Sequence, residues 1–374
     1  MKKKRYFSII SDLVATDLPA EFDLYINSSL LPQKEKFVRI FKKGKQLKKE
    51  YLLEFVSKYH QLYVSESQRK YYLRSISKRE DLTDLKKAEV AKSIAVDHLR
   101  TIFNRQTSSG EQNIFENELV QCKETVEEMI EFVKDKKFKE LQKVLGQLSI
   151  HDSYTYDHSI NVAFYSISFY SFLHPDCPKS ELVSIGMGGL LHDLGKKKIS
   201  TSILNFSGVL SDEQFGEIKK HPDYGVEVME CSCCAELDRD LYNDISAVVL
   251  EHHENINGTG YPAGKKGDEI NYYARIVAII DFYDAVTSYR SYHDPLSPSD
   301  AIKLMSKSVN KKIDNELFEK FKDCVGEVLV HGNRNIQLPS DFDPCRPHDV
   351  LPFEKVEPEK IEEDIFDKKK KGVA

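Results

Sequence analysis

The chain has 374 residues, 40% hydrophobic and 30% charged, with a formal net charge of −6. That length is ample for a buried core and fits two or three domains. The charge gives no general footprint for DNA. No apolar run reaches the ~18 residues of a membrane span, so membrane insertion is not expected. The start, Met1-Lys2-Lys3-Lys4-Arg5, is basic. The apolar runs after it are short and broken by Ser, Asp and Thr, which makes a poor signal peptide. The expected location is the cytoplasm. Seven Cys show no framework spacing. Cys231, Cys233 and Cys234 cluster, but no second Cys pair completes a zinc site, so they read as reduced thiols near a helix end.

Residues 1–78 read as a small α/β unit. Phe22, Leu24 and Ile26 alternate with Asp23 and Tyr25, Phe37 to Phe41 form a second strand-like run, and Gln61 to Val64 a closing strand. Leu47 to Tyr59 has amphipathic helical spacing. The basic cluster Lys42, Lys43, Lys45, Lys48 and Lys49 reads as a solvated turn and helix face. No catalytic constellation appears here, and the default role is sensory or docking. Residues 79–150 are charged and helical. Leu85, Val90, Ile94, Leu99, Ile102 and Phe103 keep helical spacing, Gln106 to Gly110 break it, and Leu119, Val126, Met129, Ile130, Val133 and Leu141 resume it. These helices either link the N-terminal unit to the next, form a homodimer interface, or pack against their own chain.

From His151 to about residue 335 the pattern changes to apolar helices separated by His-rich and Gly-rich turns. Residues 336–374, with several Pro and a charged run, read as an extension and flexible tail. The expected architecture is mainly α, with a helical C-terminal part and the small N-terminal α/β domain.

Chemistry concentrates in this helical part. His192-Asp193 ends an apolar run and is followed at once by Gly195 and Lys196. Neighbours on a helix point about 100° apart, so the carboxylate can reach towards a second ion while His192 holds the first. His158 opens an apolar helix, His221 precedes Pro222, His252 and His253 end another apolar run, and Asp281 follows Ile276 to Ile280. A lone buried His is usually a satisfied core residue. Five of them with two aspartates, all beside apolar helices, must be paired or bound to metal, because desolvating them unpaired is costly. Imidazole and carboxylate together suit iron, manganese or zinc. Seven candidate ligands are too many for one ion and suit two divalent ions.

Residues 151–310 resemble the HD-GYP domain, a branch of the HD phosphohydrolases. The resemblance rests on His158-Ser159, His192 to Lys196, Ile203-Leu204, Ile218 to Pro222, His252-His253-Glu254, Asn257 to Pro262, Ala274-Arg275-Ile276, Asp281 to Ala285, Ser288 and Arg290. It covers somewhat under half of the chain. It implies an HD-type helical bundle and a bacterial signalling hydrolase that converts cyclic di-GMP to pGpG or GMP. His158, His192, Asp193 and Asp281 would hold one metal, with iron or manganese favoured. His221, His252 and His253 would hold the second, with Asp193 bridging and placing the attacking hydroxide. Tyr154 stands where some members carry a Glu for a third metal, which favours a two-metal centre. Lys196 would neutralise charge on the phosphate. Gly260, Tyr261, Pro262 and Arg290 would contact substrate.

Three stretches depart from the family pattern: Phe206-Ser207-Gly208, Asn255-Ile256 and Ser291-Tyr292-His293. All are expected around the substrate mouth rather than among the ligands. They leave two further readings. One is a signalling scaffold that docks a GGDEF-type partner through the Gly258 to Pro262 loop. The other is a phosphodiesterase for another cyclic dinucleotide such as cyclic GMP-AMP.

Overall fold

The computed structural model describes residues 6–29, 36–59, 61–77, 79, 81–103, 112–146, 148, 154–204, 210–230, 238–288 and 295–326. The cysteines at 231, 233 and 234, Arg290 and the segment 336–374 lie outside them, as do the departures at 206–208 and 291–293 and the side chain of Tyr154.

Alternation of apolar and polar residues shapes the N-terminal unit. Its elements are β1 (Tyr6–Ile9), β2 (Leu18–Pro19), β3 (Leu24–Asn27), β4 (Phe37–Phe41), β5 (Gln46–Leu47), α1 (Lys49–Tyr59), β6 (Leu62–Ser65) and α2 (Arg69–Ser77). The main sheet is antiparallel with order β1-β6-β3-β4. Phe7 and Ile9 turn inwards while Ser8 is exposed, as the two-residue period of a strand requires. The helix expected from Leu47 starts at Lys49, because Leu47 pairs with Leu18 in the small β2–β5 ribbon. β1 was not anticipated; it is a four-residue strand immediately after the basic start.

Three helices follow: α3 (Asp84–Phe103), α4 (Gln112–Val133) and α5 (Phe138–Gly146). Their apolar faces are used against their own chain. α3 has two such faces. Val90 and Ile94, one turn apart, join the core of the sheet unit with Phe7, Leu24, Leu62 and Val64. Ala88, Ala91, Ala95, Leu99 and Ile102 join the larger core, with Leu119, Val126 and Met129 of α4. Among the described residues, the two cores therefore share α3.

The larger core is built on helices apolar around most of their circumference, the mark of a buried helix. Of α6 (Tyr154–Leu173), α7 (Lys179–Leu191), α8 (Thr201–Leu204), α9 (Asp212–Ile218), α10 (His221–Glu230), α11 (Arg239–Glu251), α12 (Tyr272–Thr287), α13 (Pro298–Ser306) and α14 (Asn315–Val325), this holds for α6, α7 and α12, while α8 and α9 bury no residue. α6 packs on α7 and α12, and α7 and α10 pack on α11. Among the described residues no helix is long and apolar enough to cross a membrane.

Candidate metal centre

Six of the seven candidate ligands sit near where a helix starts or ends, and the seventh, Asp281, lies inside one. His158 is in the first turns of α6, and Asp281 lies within α12. His192 caps the C-terminus of α7, and Asp193 opens the 3-10 turn Leu194–Lys198. His221 begins α10, and His252 caps α11 with His253 next to it. Gly195 lets the second of these segments meet the third. A Cβ there would lie 1.8 Å from the carbonyl oxygen of His221 and 2.5 Å from the amide of Gly225, so no side chain fits.

The fold brings all seven candidates together in two adjoining groups. The ligand atoms of His158, His192 and Asp281 lie within 4.8 Å of one another, and so do those of Asp193, His221, His252 and His253. Asp193 faces both groups: its Oδ2 is 3.3 Å from Nε2 of His192, and its Oδ1 is 3.4 Å from Nε2 of His221. The His158 and His192 rings are 5.3 Å apart, and those of His192 and His252 are 5.0 Å apart.

Tautomers follow from the hydrogen bonds. His192 Nδ1 donates to the Gly189 carbonyl at 2.8 Å, and His221 Nδ1 to Ile218 at 2.8 Å. His252 Nδ1 donates to the carbonyls of Val248 and Val249 at 3.1 and 3.0 Å. Each bond fixes the proton on Nδ1 and leaves Nε2 a lone pair. Nε2 of His221 and Nε2 of His252 then meet at 3.2 Å with no proton to share. Nε2 of His192 and Oδ1 of Asp193 are buried without a hydrogen-bond partner. Acceptors crowded in this way call for a cation, and a divalent ion with nitrogen and oxygen ligands fits the donor set.

Protonation differs between the groups. Burial lowers the pKa of His221 to about 4, and burial and neighbouring imidazoles hold His252 and His253 well below the ordinary value. Burial disfavours the charged form of His158 as well, but hydrogen bonds to Asp281 and Asp284 outweigh it and push the pKa up to about 9. Burial raises Asp193, yet Lys196, His192 and His221 hold it well below the carboxylate range.

Lys196 donates to Asp193 Oδ2 at 2.6 Å, with its side chain 28% exposed at the edge of the centre. The Tyr261 ring stacks on His253 with centroids 4.9 Å apart, and Lys219 lies over its face. The Tyr261-Pro262 peptide is cis. Gly260 packs against backbone, since a Cβ would come 2.3 Å from the amide of Asn255. Pro262 is exposed. The departure at Asn255 is buried: Asn255 Nδ2 donates to Thr259 Oγ1 at 3.1 Å, bracing the loop from inside instead of lining a mouth.

Sequence reading did not single out Glu254, Asp284 or Asn161 as functional. The buried Glu254 carboxylate accepts from the amides of Ala263, Gly264 and Lys265 and so holds the loop beyond Pro262. Asp284 Oδ2 accepts from His158 Nδ1 at 2.7 Å, and its Oδ1 accepts from Asn161 at 3.0 Å and Ser288 at 2.7 Å. The signal for both was spacing: Asn161 follows His158 by three positions and Asp284 follows Asp281 by three, one helical turn each.

A helical bundle with two clustered groups of His and Asp defines a class, and the sequence agrees: the HD domain family matches residues 124–317. The chain belongs to this family, in its HD-GYP branch. It is 37% identical over 183 residues to a cyclic di-GMP phosphodiesterase of Pseudomonas aeruginosa, covering 49% of this chain and 42% of that protein. It is 28% identical over 172 residues to 3'3'-cGAMP-specific phosphodiesterase 3 of Vibrio cholerae, covering 46% of this chain and 35% of that protein. The matches therefore span less than half the length of these curated relatives. Among solved structures, the fold resembles Bd1817, a HDG"Y"P protein from Bdellovibrio bacteriovorus. The TM-score is 0.52 at 18% identity, over 85% of this chain and 99% of that one.

Proposed function

We propose that this chain is a cytoplasmic, metal-dependent phosphodiesterase that opens cyclic di-GMP to pGpG or GMP. The position of Asp193 carries this reading, with one carboxylate oxygen towards each of two groups of lone pairs. His158, His192, Asp193 and Asp281 would hold one divalent ion, and His221, His252, His253 and Asp193 the other. Bound iron or manganese supplies acidified water and charge compensation for attack on a phosphodiester. The protein's own groups do the rest. Backbone carbonyls hold His192, His221 and His252 with Nε2 inwards, and Asp284 does the same for His158. Lys196, at the exposed edge, meets the phosphate and offsets its growing charge. Tyr261 covers His253, excludes water and offers its ring to a guanine. Arg290 is proposed as a further contact.

We assign residues 1–78 to regulation, 79–150 to transmission, 151–335 to hydrolysis and 336–374 to an extension. The helix shared by both cores supports transmission.

The test is turnover by purified chain loaded with manganese or iron, on cyclic di-GMP and on 3'3'-cGAMP, with products separated by chromatography. Hydrolysis of cyclic di-GMP that Asp193→Ala abolishes supports the proposal. Full metal loading without turnover overturns it, and faster cleavage of 3'3'-cGAMP reassigns the substrate.

A second reading has support from the loop. Thr259 and Pro262 are exposed on a loop braced by Glu254 and Asn255, a firm surface for docking a GGDEF-type domain. Binding to such a domain that survives Asp193→Ala and is lost in Tyr261→Ala supports docking.

A further inference from the structure

Lys92 lies in α3, among residues the sequence assigns to a charged linker, yet its side chain is 1% exposed. A buried ammonium is costly unless paired, so its contacts define its role. Its Nζ lies 2.5 Å from Asp157 Oδ1 and donates to Asn161 Oδ1 at 3.5 Å, both on α6. Asp157 precedes His158 directly, and Asn161 is one turn beyond it.

The contact with Asn161 has a consequence two bonds away. A carboxamide has one accepting and one donating end. A cation at one end fixes that end as oxygen, so the amino group must face the other way. That amino group donates to Asp284 Oδ1 at 3.0 Å and reaches Ser288 Oγ at 3.5 Å. Asp284, with one oxygen held by Asn161 and Ser288, turns the other to His158 Nδ1 at 2.7 Å. His158 is thereby kept with its proton on Nδ1 and Nε2 towards Asp281. Lys92 also cancels one of the negative charges buried around His158.

The helix that carries Lys92 is fixed at two further places. Val90 and Ile94, on either side of Lys92, belong to the core of the sheet unit. At the other end of α3, Lys197 of the metal-centre turn donates to the Ile102 carbonyl at 2.9 Å.

We propose that Lys92 is a positioning residue for the metal centre, acting through Asn161 and Asp284 to orient His158. It sets the affinity of the group formed by His158, His192 and Asp281 and leaves the other group unchanged. The inference rests on the reading of these residues as metal ligands.

The experiment is a Mn(II) titration of the full chain, with free Mn(II) followed by electron paramagnetic resonance. The variants are Lys92→Met, Lys92→Arg, the double change Lys92→Met with Asp157→Asn, and His158→Ala as the marker for loss of the first group. Far-ultraviolet circular dichroism checks the fold of each. Lys92→Met is expected to weaken one of two Mn(II) ions by about 10- to 100-fold, the range for residues that orient a ligand. The weakened ion is the one that His158→Ala removes, and Lys92→Arg restores part of the affinity. The double variant removes both charges of the buried pair, so it folds even if Lys92→Met does not, and it keeps the defect. Two ions bound by the double variant with wild-type affinity overturn the inference alone, leaving Lys92 as a counter-charge to Asp157. A wild-type chain that takes up no Mn(II) overturns the metal reading and this inference with it.

Discussion

His158 and His221 are both buried imidazoles in adjoining groups of the same centre, yet their surroundings drive them to opposite protonation states. His158 stands between the carboxylates of Asp281 and Asp284, which push its pKa up to about 9. His221 bonds the Ile218 carbonyl and is surrounded by other imidazoles, and burial takes its pKa down to about 4. His158 is thus held by charge, whereas His192, His221 and His252 are held by neutral backbone carbonyls at helix ends. His158 depends on the balance of buried charges around it, including residues from α3. The other three depend on where α7, α10 and α11 start and stop.

Asp193 belongs to both groups, so its removal has the largest expected effect. Asp193→Ala should lower affinity for both Mn(II) ions and reduce turnover by roughly 1,000-fold. Loss of only one ion in the same titration would show that its two oxygens do not serve both groups.

Gly195→Ala comes next, because it disturbs the His221 group. The new Cβ would overlap the His221 carbonyl and must displace the start of α10. The expected cost is about 3 kcal/mol of stability, seen as a lower denaturation midpoint. Mn(II) affinity should fall at the His221 group and hold at the His158 group. Equal losses at both would mean that the two groups are not supported separately.

These two residues also show what was legible in the sequence. The ligands could be read because buried-looking helices rarely start or end on His or Asp unless something binds there, and because Gly195 and Lys196 follow His192-Asp193 in a specific order. The apolar helices were legible directly and their bundle through the family resemblance, and three strands of the sheet from alternation around Leu24 and the strand-like runs Phe37 to Phe41 and Gln61 to Val64. Lys92 was not legible. In a segment rich in charge, nothing local separates a lysine that points to solvent from one inserted between helices. Asp284 and Asn161 carried a helical spacing to a ligand, but only the fold shows that they meet across α6 and α12. Asn255 looked like a change at the mouth because its neighbour His253 lies in the metal centre, whereas its side chain turns into the loop.

A smaller effect separates the two groups in metal-free protein. Folded His158 keeps its proton up to about pH 9, while an unfolded His loses it near the ordinary value of 6.5. Its stabilisation is therefore full below pH 6.5 and is lost as pH rises through about 9. His221 has the opposite sign: its folded pKa of about 4 lies below 6.5, so stability falls as pH drops from 6.5 towards 4. Chelator-treated protein should be most stable near the middle of this window. Urea unfolding across the pH range checks it. His158→Gln should flatten the alkaline limb, worth on the order of 3 kcal/mol, and His221→Gln the acid limb. An alkaline limb unchanged in His158→Gln would remove the charge-held side of the comparison.

Tyr261 gives the smallest effect and tests whether covering a group differs from holding it. Its ring stacks on His253, whereas the Nδ1 bonds of His192, His221 and His252 run to the backbone carbonyls of Gly189, Ile218 and Val249. Removing the ring should therefore spare both ions. What it removes is one face for a base and the cover over His253. A base stacked on an aromatic ring is worth about 1–3 kcal/mol, so Tyr261→Ala should raise KM for a cyclic dinucleotide by about tenfold with Mn(II) affinity unchanged. Tyr261→Phe keeps the ring and should restore KM, because the stack and not the hydroxyl supplies the contact. If Tyr261→Ala instead loses the ion bound by His253, the aromatic ring is part of the scaffold of the His221 group, and that group is less rigid than its helix ends make it.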